Sequence, residues 1–199
     1  MGRFDGRVAV VTGAGSADGI GFACAQALAA EGAAVVLGAT SERVHERAAE
    51  LGDAAVGVIA DLTVDGAADL LVAAAVERWG RLDILVNNAG MTSVSGGWDV
   101  DGEVASLPLE AWDAAISRNL STAFLACRAA VPAMRRTGYG RIVTVSSTTG
   151  PVNAMPGQAS YAASKAALVG LSRALALEVV GDGITVNVVA PGYVATSSQ

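Results

Sequence analysis

Apolar and polar positions divide the chain into short, continuously apolar runs separated by longer, partly polar ones. Six runs have the length and composition of strands: Val8 to Thr12, Ala34 to Gly38, Val56 to Ala60, Ile84 to Asn87, Arg141 to Ser146 and Thr185 to Val189. Five read as helices: Ile20 to Glu31, Ser41 to Leu51, Gly66 to Trp79, Leu109 to Arg136 and Tyr161 to Val180. Uniformly apolar strands with helices between them indicate a parallel sheet that is covered on both faces. The pattern predicts a three-layer, doubly wound α/β fold.

The organisation of the chain is simple, because no internal repeat, low-complexity tract or linker divides it. We therefore expect residues 1–199 to form one domain. The irregular stretch Thr92 to Leu107 is rich in Gly, Ser, Asp and Glu. It is predicted to be a loop at the carboxyl edge of the sheet, bordering a substrate site.

Composition narrows the classes of partner. The chain is 52% hydrophobic and 5% aromatic, and its net charge of −6 comes without any cluster of lysine or arginine. This argues against a nucleic-acid footprint or attachment to an anionic membrane surface. Small molecules and further copies of the chain are the expected partners.

Candidate metal and redox sites are not supported by the sequence. Cys24 and Cys127 lie far apart in helical runs and are best interpreted as small buried thiols, and the single histidine, His45, lies among charged residues. No metal site can be built around it. No apolar segment is long enough to span a membrane, and the first strand leaves no room for a signal peptide, so a cytoplasmic protein is predicted.

A glycine-rich turn, Gly13 to Gly21, joins the first strand to the first helix. Backbone N–H groups at such a turn, together with the helix dipole, form a cradle for phosphate. The strict G-x-G-x-x-G pattern is not met, because Asp18 stands where the third glycine belongs. A tight turn without a ligand is the structural alternative.

Tyr161 and Lys165 stand four residues apart in a helical run, which places a phenol and an ammonium on one face. Two charges about 4 Å apart interact by about 4 kcal/mol at an effective dielectric constant near 20. Before desolvation opposes it, this interaction is large enough to lower the pKa of the phenol by up to roughly three units, so that the tyrosine could act as an acid or base near neutral pH. The alternative from spacing alone is a solvated pair without chemistry.

Taken together, the motifs resemble those of the short-chain dehydrogenase/reductase family, and within it the 3-oxoacyl-acyl-carrier-protein reductases and their relatives. They follow the family's order from the first strand to the last residue: Thr12-Gly13 to Gly19-Ile20-Gly21, Asp61, Asn87-Asn88-Ala89-Gly90, Asn119, Ser146-Ser147, Tyr161 to Lys165, and Pro191-Gly192. The resemblance implies a Rossmann fold and hydride transfer between a nicotinamide cofactor and a ketone or secondary alcohol. A 3-oxoacyl thioester is one such substrate. It also implies that a further strand and helix, with a substrate-covering loop, belong beyond Gln199.

The resemblance also implies a role for each matching position. The pyrophosphate turn would comprise Gly13, Ser16, Gly19, Ile20 and Gly21. Asp61 and the backbone of Leu62 would meet the adenine, and Asn88, Ala89 and Gly90 would run past its ribose. Pro191 and Gly192 would lead to Val194 and Thr196, which would hold the nicotinamide carboxamide. The expected catalytic set is Asn119, Ser147, Tyr161 and Lys165, of which Tyr161 and Lys165 would also contact the cofactor.

The end of the second strand bears on the choice of cofactor. NAD-dependent enzymes place a carboxylate there for the ribose 2′-hydroxyl, whereas this chain has Thr40, Ser41 and Arg43. Hydroxyls and a guanidinium suit a 2′-phosphate, so NADP(H) is the predicted cofactor and NAD(H) the alternative. Arg43 as a plain solvated residue remains open.

Two functional classes follow from the sequence. The leading one is an NADP(H)-dependent oxidoreductase, since a complete set of proton-handling residues has no use in a sensor. The alternative is a non-catalytic dinucleotide-binding fragment or sensor of the same fold. The helix that starts at Tyr161 is apolar around more than one face, which predicts a homodimer or homotetramer.

Overall fold

The computed structural model describes residues 2–90 and 102–196, which fold as a parallel sheet between two layers of helices. The strands are β1 (Val8–Thr12), β2 (Ala34–Ala39), β3 (Ala55–Ile59), β4 (Ile84–Asn87), β5 (Gly140–Val145) and β6 (Ile184–Val189). The helices are α1 (Ile20–Ala30), α2 (Arg43–Leu51), α3 (Ala67–Trp79), α4 (Leu109–Ile116), α5 (Thr122–Thr137) and α6 (Ala159–Val179). The strand order β3-β2-β1-β4-β5-β6 confirms the doubly wound α/β fold.

The helix predicted over Leu109 to Arg136 is not one continuous α-helix in the structure. It is interrupted by a π-helical turn, Ser117–Ser121, which joins α4 to α5 and contains Asn119. A single π turn inside an α-helix shifts the register of the side chains that follow it, and such turns are frequent at functional sites. The other elements begin and end within two residues of their predicted limits.

The continuous apolar strands are explained by burial on both faces of the sheet. Alternate residues of β1 enter different cores: Val8 and Val10 pack with α3 and α5, while Ala9 and Val11 pack with α1 and α2. Helices α1 and α2 therefore cover one face, and α3, α5 and the end of α6 cover the other. This is the predicted three-layer architecture.

The amino edge of the sheet is fixed by a buried carboxylate. Asp83, just before β4, accepts hydrogen bonds from Arg7 Nη1 at 3.0 Å, from the Val8 N–H at 3.0 Å and from Arg81 at 2.6 and 2.7 Å. Burial by itself would raise the pKa of Asp83, but the hydrogen bonds from Arg81, Val8 and Arg7 outweigh it and lower the pKa. The cluster holds β1 against β4 at the edge opposite to the glycine-rich turn.

Among the described residues, no helix combines the length and the apolar character that crossing a membrane requires.

Candidate active site

The glycine-rich turn is clamped from behind by the end of β4. The Thr12 hydroxyl oxygen accepts from the N–H groups of Asn88 and Ala89 at 3.0 Å each, and the Asn88 amide donates to the carbonyls of Thr12 and Gly13 at 3.1 and 3.0 Å. Gly13 has φ of +68°, and a Cβ on Gly21 would lie 2.5 Å from Asn88 Nδ2. The turn therefore requires glycine at both positions, and the side chain of Asn88 holds the turn in place.

Helix α1 begins directly after this turn. The N-cap of the helix is Gly19, which has an extended backbone and no side chain that could cap the helix. The Gly19 N–H donates to the Ser16 carbonyl at 3.2 Å. An uncapped helix N-terminus presents N–H groups and a positive dipole end to an anion. The Ser16 hydroxyl donates to Asp18 Oδ1 at 2.8 Å, and Asp18 is exposed. The Asp18 carboxylate thus lies beside the turn and binds the hydroxyl of Ser16, the residue that was predicted to contact the pyrophosphate.

A cavity of about 540 Å³ opens in front of the turn at the carboxyl edge of the sheet. Ten of the predicted cofactor residues line it: Gly13, Ser16, Thr40, Ser41, Arg43, Asp61, Leu62, Asn88, Ala89 and Gly90. Its volume is in the range of small-molecule sites. A Cβ at Gly13 would come 2.9 Å from Ala89 Cα, so glycine is required where these two lining segments meet. A glycine turn followed by a helix N-terminus without a side-chain cap is an arrangement that binds phosphate groups.

The predicted proton-handling residues meet beside this cavity. Ser147 follows β5, and its hydroxyl accepts from the Thr149 N–H at 3.1 Å and hydrogen bonds to Tyr161. Lys165 is buried, and its ammonium donates to the Val145 carbonyl at 3.1 Å. The Ser146 hydroxyl donates to the Lys165 carbonyl at 2.8 Å and ties α6 to the end of β5. Strand β5 and the first turns of α6 therefore place hydroxyl, phenol and ammonium in one cluster.

The pKa of Tyr161 is raised, whereas the charge of Lys165 was expected from the sequence to lower it, so that expectation is wrong. Burial raises the pKa of Tyr161, and the hydrogen bond with Ser147 offsets only part of that. The Lys165 ammonium lies 5.6 Å from the phenol ring centroid and donates to a carbonyl instead. Burial also lowers the pKa of Lys165 to about 8, because a low-dielectric environment disfavours both charged forms. Lys165 is the single lysine in the sequence.

Gly90 connects the cavity to this cluster. A Cβ built on it would lie 2.7 Å from Asn119 Oδ1 and 3.4 Å from Lys165 Nζ, and its φ is +145°. Asn119 is buried in the π turn, where its amide donates to the Ala115 carbonyl at 3.1 Å. Asn119 and Lys165 thus both approach a residue that also lines the cavity. Only glycine leaves room for that approach.

The residues predicted for the nicotinamide lie beside the same cluster. The segment after β6 runs from Pro191 to Thr196 and is mostly exposed. It is anchored where the Thr148 N–H donates to the Pro191 carbonyl at 2.9 Å, one residue from Ser147. Gly192, Val194 and Thr196 follow this anchor. Of the predicted substrate loop, residues 92–101 lie outside the described part of the chain.

Chemically, the cluster offers a protonated phenol with a neighbouring hydroxyl, next to a cavity with an anion-binding turn. Protonation of an oxygen and its stabilisation by hydrogen bonds are what such groups supply. Within the described residues, no group of histidine, cysteine and acidic side chains is arranged to hold a metal ion.

Comparison with known proteins agrees with this geometry. The model of the short chain dehydrogenase family matches residues 7–199. The chain belongs to the short-chain dehydrogenase family. It is 41% identical over 195 residues to the 3-oxoacyl-[acyl-carrier-protein] reductase FabG of Escherichia coli, covering 98% of this chain and 76% of that protein. It is 39% identical over 197 residues to D-beta-hydroxybutyrate dehydrogenase of Rhizobium meliloti, covering 96% and 72%.

Solved structures give the same result for the fold. A crystal structure from Burkholderia xenovorans, described as a short-chain dehydrogenase/reductase, superposes with a TM-score of 0.89 at 35% identity and covers 100% of this chain and 76% of that one. Membership of the short-chain dehydrogenase family implies a nicotinamide cofactor. The chain is therefore an oxidoreductase that acts on CH–OH or C=O groups.

Thr12, Arg118 and Thr122 are among the residues at this short-chain dehydrogenase site that the sequence did not reveal. Thr12 was noted only as part of a motif, although its hydroxyl fixes the glycine turn. Arg118 and Thr122 line the cavity from the π turn and the start of α5. A helical pattern could not reveal which way these two side chains face, because the π turn changes the register between them.

Proposed function

We propose that this chain is an NADP(H)-dependent oxidoreductase that moves a hydride between nicotinamide and a ketone or secondary alcohol. Its catalytic residues would be Ser147, Tyr161, Lys165 and Asn119. The observation that carries the proposal is Gly90, which lines the cavity in front of the glycine-rich turn and lies against Asn119 and Lys165. Cofactor site and proton-handling cluster thereby share a wall. A sensor would need the cavity but not the cluster, which favours the enzyme.

In the reductive direction, negative charge develops on the substrate oxygen, and the chain has to neutralise it. Tyr161 donates its phenol proton to that oxygen, and the Ser147 hydroxyl donates a hydrogen bond to it. The raised pKa of Tyr161 keeps the proton on the phenol at neutral pH until charge appears beside it. The nicotinamide supplies the hydride when it is bound.

Lys165 and Asn119 act from the side of the protein interior. With a pKa of about 8, Lys165 is mostly charged at neutral pH and stabilises the phenolate left on Tyr161. Its ammonium retains donors beyond the one used on Val145, which suits the hydroxyls of the nicotinamide ribose. Asn119 approaches the same glycine and would hold the water that returns a proton to Lys165.

Preference for NADP(H) rests on the rim of the cavity at the end of β2. Thr40, Ser41 and Arg43 line it there, and Arg43 Nε donates to the Ser41 hydroxyl at 3.4 Å. The two hydroxyls can donate hydrogen bonds to a 2′-phosphate, and the guanidinium can neutralise its charge. Tighter binding of NADH than of NADPH in a direct titration would overturn this preference.

The names of the relatives guide the choice of substrate. The matched reductase of E. coli is named for a 3-oxoacyl group and the Rhizobium dehydrogenase for a 3-hydroxy acid. Both names place the reacting carbon at position 3 of an acyl chain. We therefore propose a 3-oxoacyl or 3-hydroxyacyl substrate, with a thioester as the first to test.

Assembly into a homodimer or homotetramer is proposed from the outer faces of α5 and α6. Leu177 in α6 and Val180 just after this helix are 80% and 74% exposed, and Phe124 in α5 is 46% exposed. Such apolar exposure favours contact with another copy. Light scattering that finds only monomer at micromolar concentration would contradict it. The cytoplasmic location and the single domain over residues 1–199 stay predictions.

The proposed enzymatic activity is tested by removing the phenol oxygen of Tyr161. Tyr161→Phe keeps the ring and is expected to leave NADPH binding within about twofold while lowering turnover of a 3-oxoacyl thioester by roughly 10²- to 10⁴-fold. Tyr139→Phe is the matched control, since Tyr139 stacks on Arg7 and Arg141 at the opposite edge of the sheet. Near-parental turnover of Tyr161→Phe would refute the mechanism. An inactive parent that still binds NADPH would favour a sensor.

A further inference from the structure

Two guanidinium groups of the described residues line the cavity, and only Arg43 has a predicted ligand. Arg43 begins α2, which packs on one face of the sheet. Arg118 comes from the π turn before α5, which packs on the other face. The two cations therefore enter the cavity from opposite layers, and they are suited to different parts of a ligand.

Arg118 carries an unmet hydrogen-bonding capacity. Its Nη1 is buried from solvent and has no acceptor within residues 2–90 and 102–196. Burying a charged N–H donor without an acceptor is unfavourable. The backbone below it is held in place, because the Thr122 hydroxyl donates to the Arg118 carbonyl at 2.9 Å. A buried guanidinium N–H without an acceptor at the wall of a cavity is a donor that a bound molecule can use.

A second charged residue of the same cavity, Asp61, limits the chemistry of a ligand that could bind there. Asp61 lines the same cavity, and its Oδ1 accepts from the Thr63 hydroxyl and N–H at 2.7 and 3.0 Å. These bonds, with a smaller contribution from the charge of Arg118, lower the pKa of Asp61 and keep it ionised. A phosphate placed between the two would be attracted by one side chain and repelled by the other. A neutral ligand with both donors and acceptors satisfies both.

We propose that Arg118 is a cofactor-binding residue that, together with Asp61, binds the adenine ring of the cofactor. Adenine offers an amino group for the carboxylate, ring nitrogens for the guanidinium N–H groups, and an aromatic face on which a guanidinium stacks. Because the adenine is common to both nicotinamide cofactors, Arg118 contributes to binding in general, whereas Arg43 selects between them. This assignment rests on the proposed function.

The test is a set of binding titrations that need no turnover. ADP, 2′,5′-ADP, NADH and NADPH are titrated by calorimetry into the parent, Arg118→Met, Arg118→Lys and Arg43→Met. Arg118→Met is expected to weaken all four ligands by a similar factor, about tenfold. Arg118→Lys keeps the charge without the planar fork and should recover only part of that affinity. Arg43→Met should weaken only the two ligands that carry a 2′-phosphate.

Controls separate this assignment from the proposed function. Arg136→Met removes an exposed guanidinium at the other end of α5 and should bind like the parent. Circular dichroism establishes that each variant is folded, and Arg118→Lys serves if Arg118→Met is not. Loss confined to the 2′-phosphate ligands, or no loss at all, would overturn the role of Arg118 while the parent still binds. A parent that binds none of the four ligands would overturn the proposed function as well.

Discussion

Replacing Lys165 by methionine is expected to stabilise the cofactor-free protein while disabling the proposed site. Burial moves the pKa of Lys165 from 10.5 to about 8, and one pKa unit corresponds to about 1.4 kcal/mol. The folded protein at pH 7 therefore carries about 3 kcal/mol of unfavourable free energy for charging this buried amine. Losing the hydrogen bond to the Val145 carbonyl costs about 1 kcal/mol. The net expectation is a gain of about 2 kcal/mol in the free energy of unfolding.

The pH dependence identifies the origin of that gain. Between pH 8 and pH 10.5 the unfolded lysine holds more protons than the folded one, so the stability of the parent rises with pH in this window. The advantage of Lys165→Met should therefore shrink by about 2 kcal/mol between pH 7 and pH 10. It should be largest, and constant, below the folded pKa of about 8.

Urea denaturation followed by circular dichroism measures both quantities, with parent and variant compared at each pH so that other titrating groups cancel. Arg173→Met provides the control, because Arg173 is an exposed cation on the same helix. It should show no change of this kind with pH. A Lys165→Met protein that is less stable than the parent at pH 7, or whose advantage does not depend on pH, would refute the reasoning.

Two further changes test other parts of the structure. Asp83→Asn should lower the free energy of unfolding in urea by about 3 kcal/mol by leaving Arg7 and Arg81 without their buried carboxylate. Because the pKa of Asp83 is lowered by folding, its stabilisation is present above about pH 4 and is lost as the pH falls through the folded pKa, which a urea series at decreasing pH measures. Asp18→Asn should tighten NADPH binding a few-fold at low salt, and less at high salt, by removing a charge beside the phosphate turn. Asp53→Asn, at the other edge of the sheet, should leave the titrated affinity unchanged; a tightening there too would show that only net charge matters.

The fold could be predicted from the sequence because its strands are buried on both sides. Val8 to Thr12 contains no polar residue before its last position, and both the odd and the even residues of this strand enter a core. That demands helices on each face and leaves few alternatives. The π turn at Ser117–Ser121 could not be predicted, since the pattern of apolar and polar residues does not distinguish a single π turn from an α turn.

The site was predictable where backbone conformation or spacing decides it, as at Gly13 or in the pair Tyr161 and Lys165. The direction of the pKa shift of Tyr161 could not be predicted. It depends on whether burial raises the pKa more than the charge of Lys165 lowers it, and a sequence does not give the distance to that charge. Arg118 was missed for a related reason. Nothing in the residues around it determines whether a long cationic side chain points to solvent or into a cavity.

The single lysine also gives the chain a built-in site of limited proteolysis. An endoproteinase specific for lysine has one target in this sequence, Lys165, and that residue is buried in the first turns of α6. Cleavage then requires this helix to open locally, so its rate reports the opening free energy at one known position. Any molecule that binds against Lys165 should slow the appearance of the two fragments. Protection on a gel would therefore detect ligands of this surface before any reaction is known.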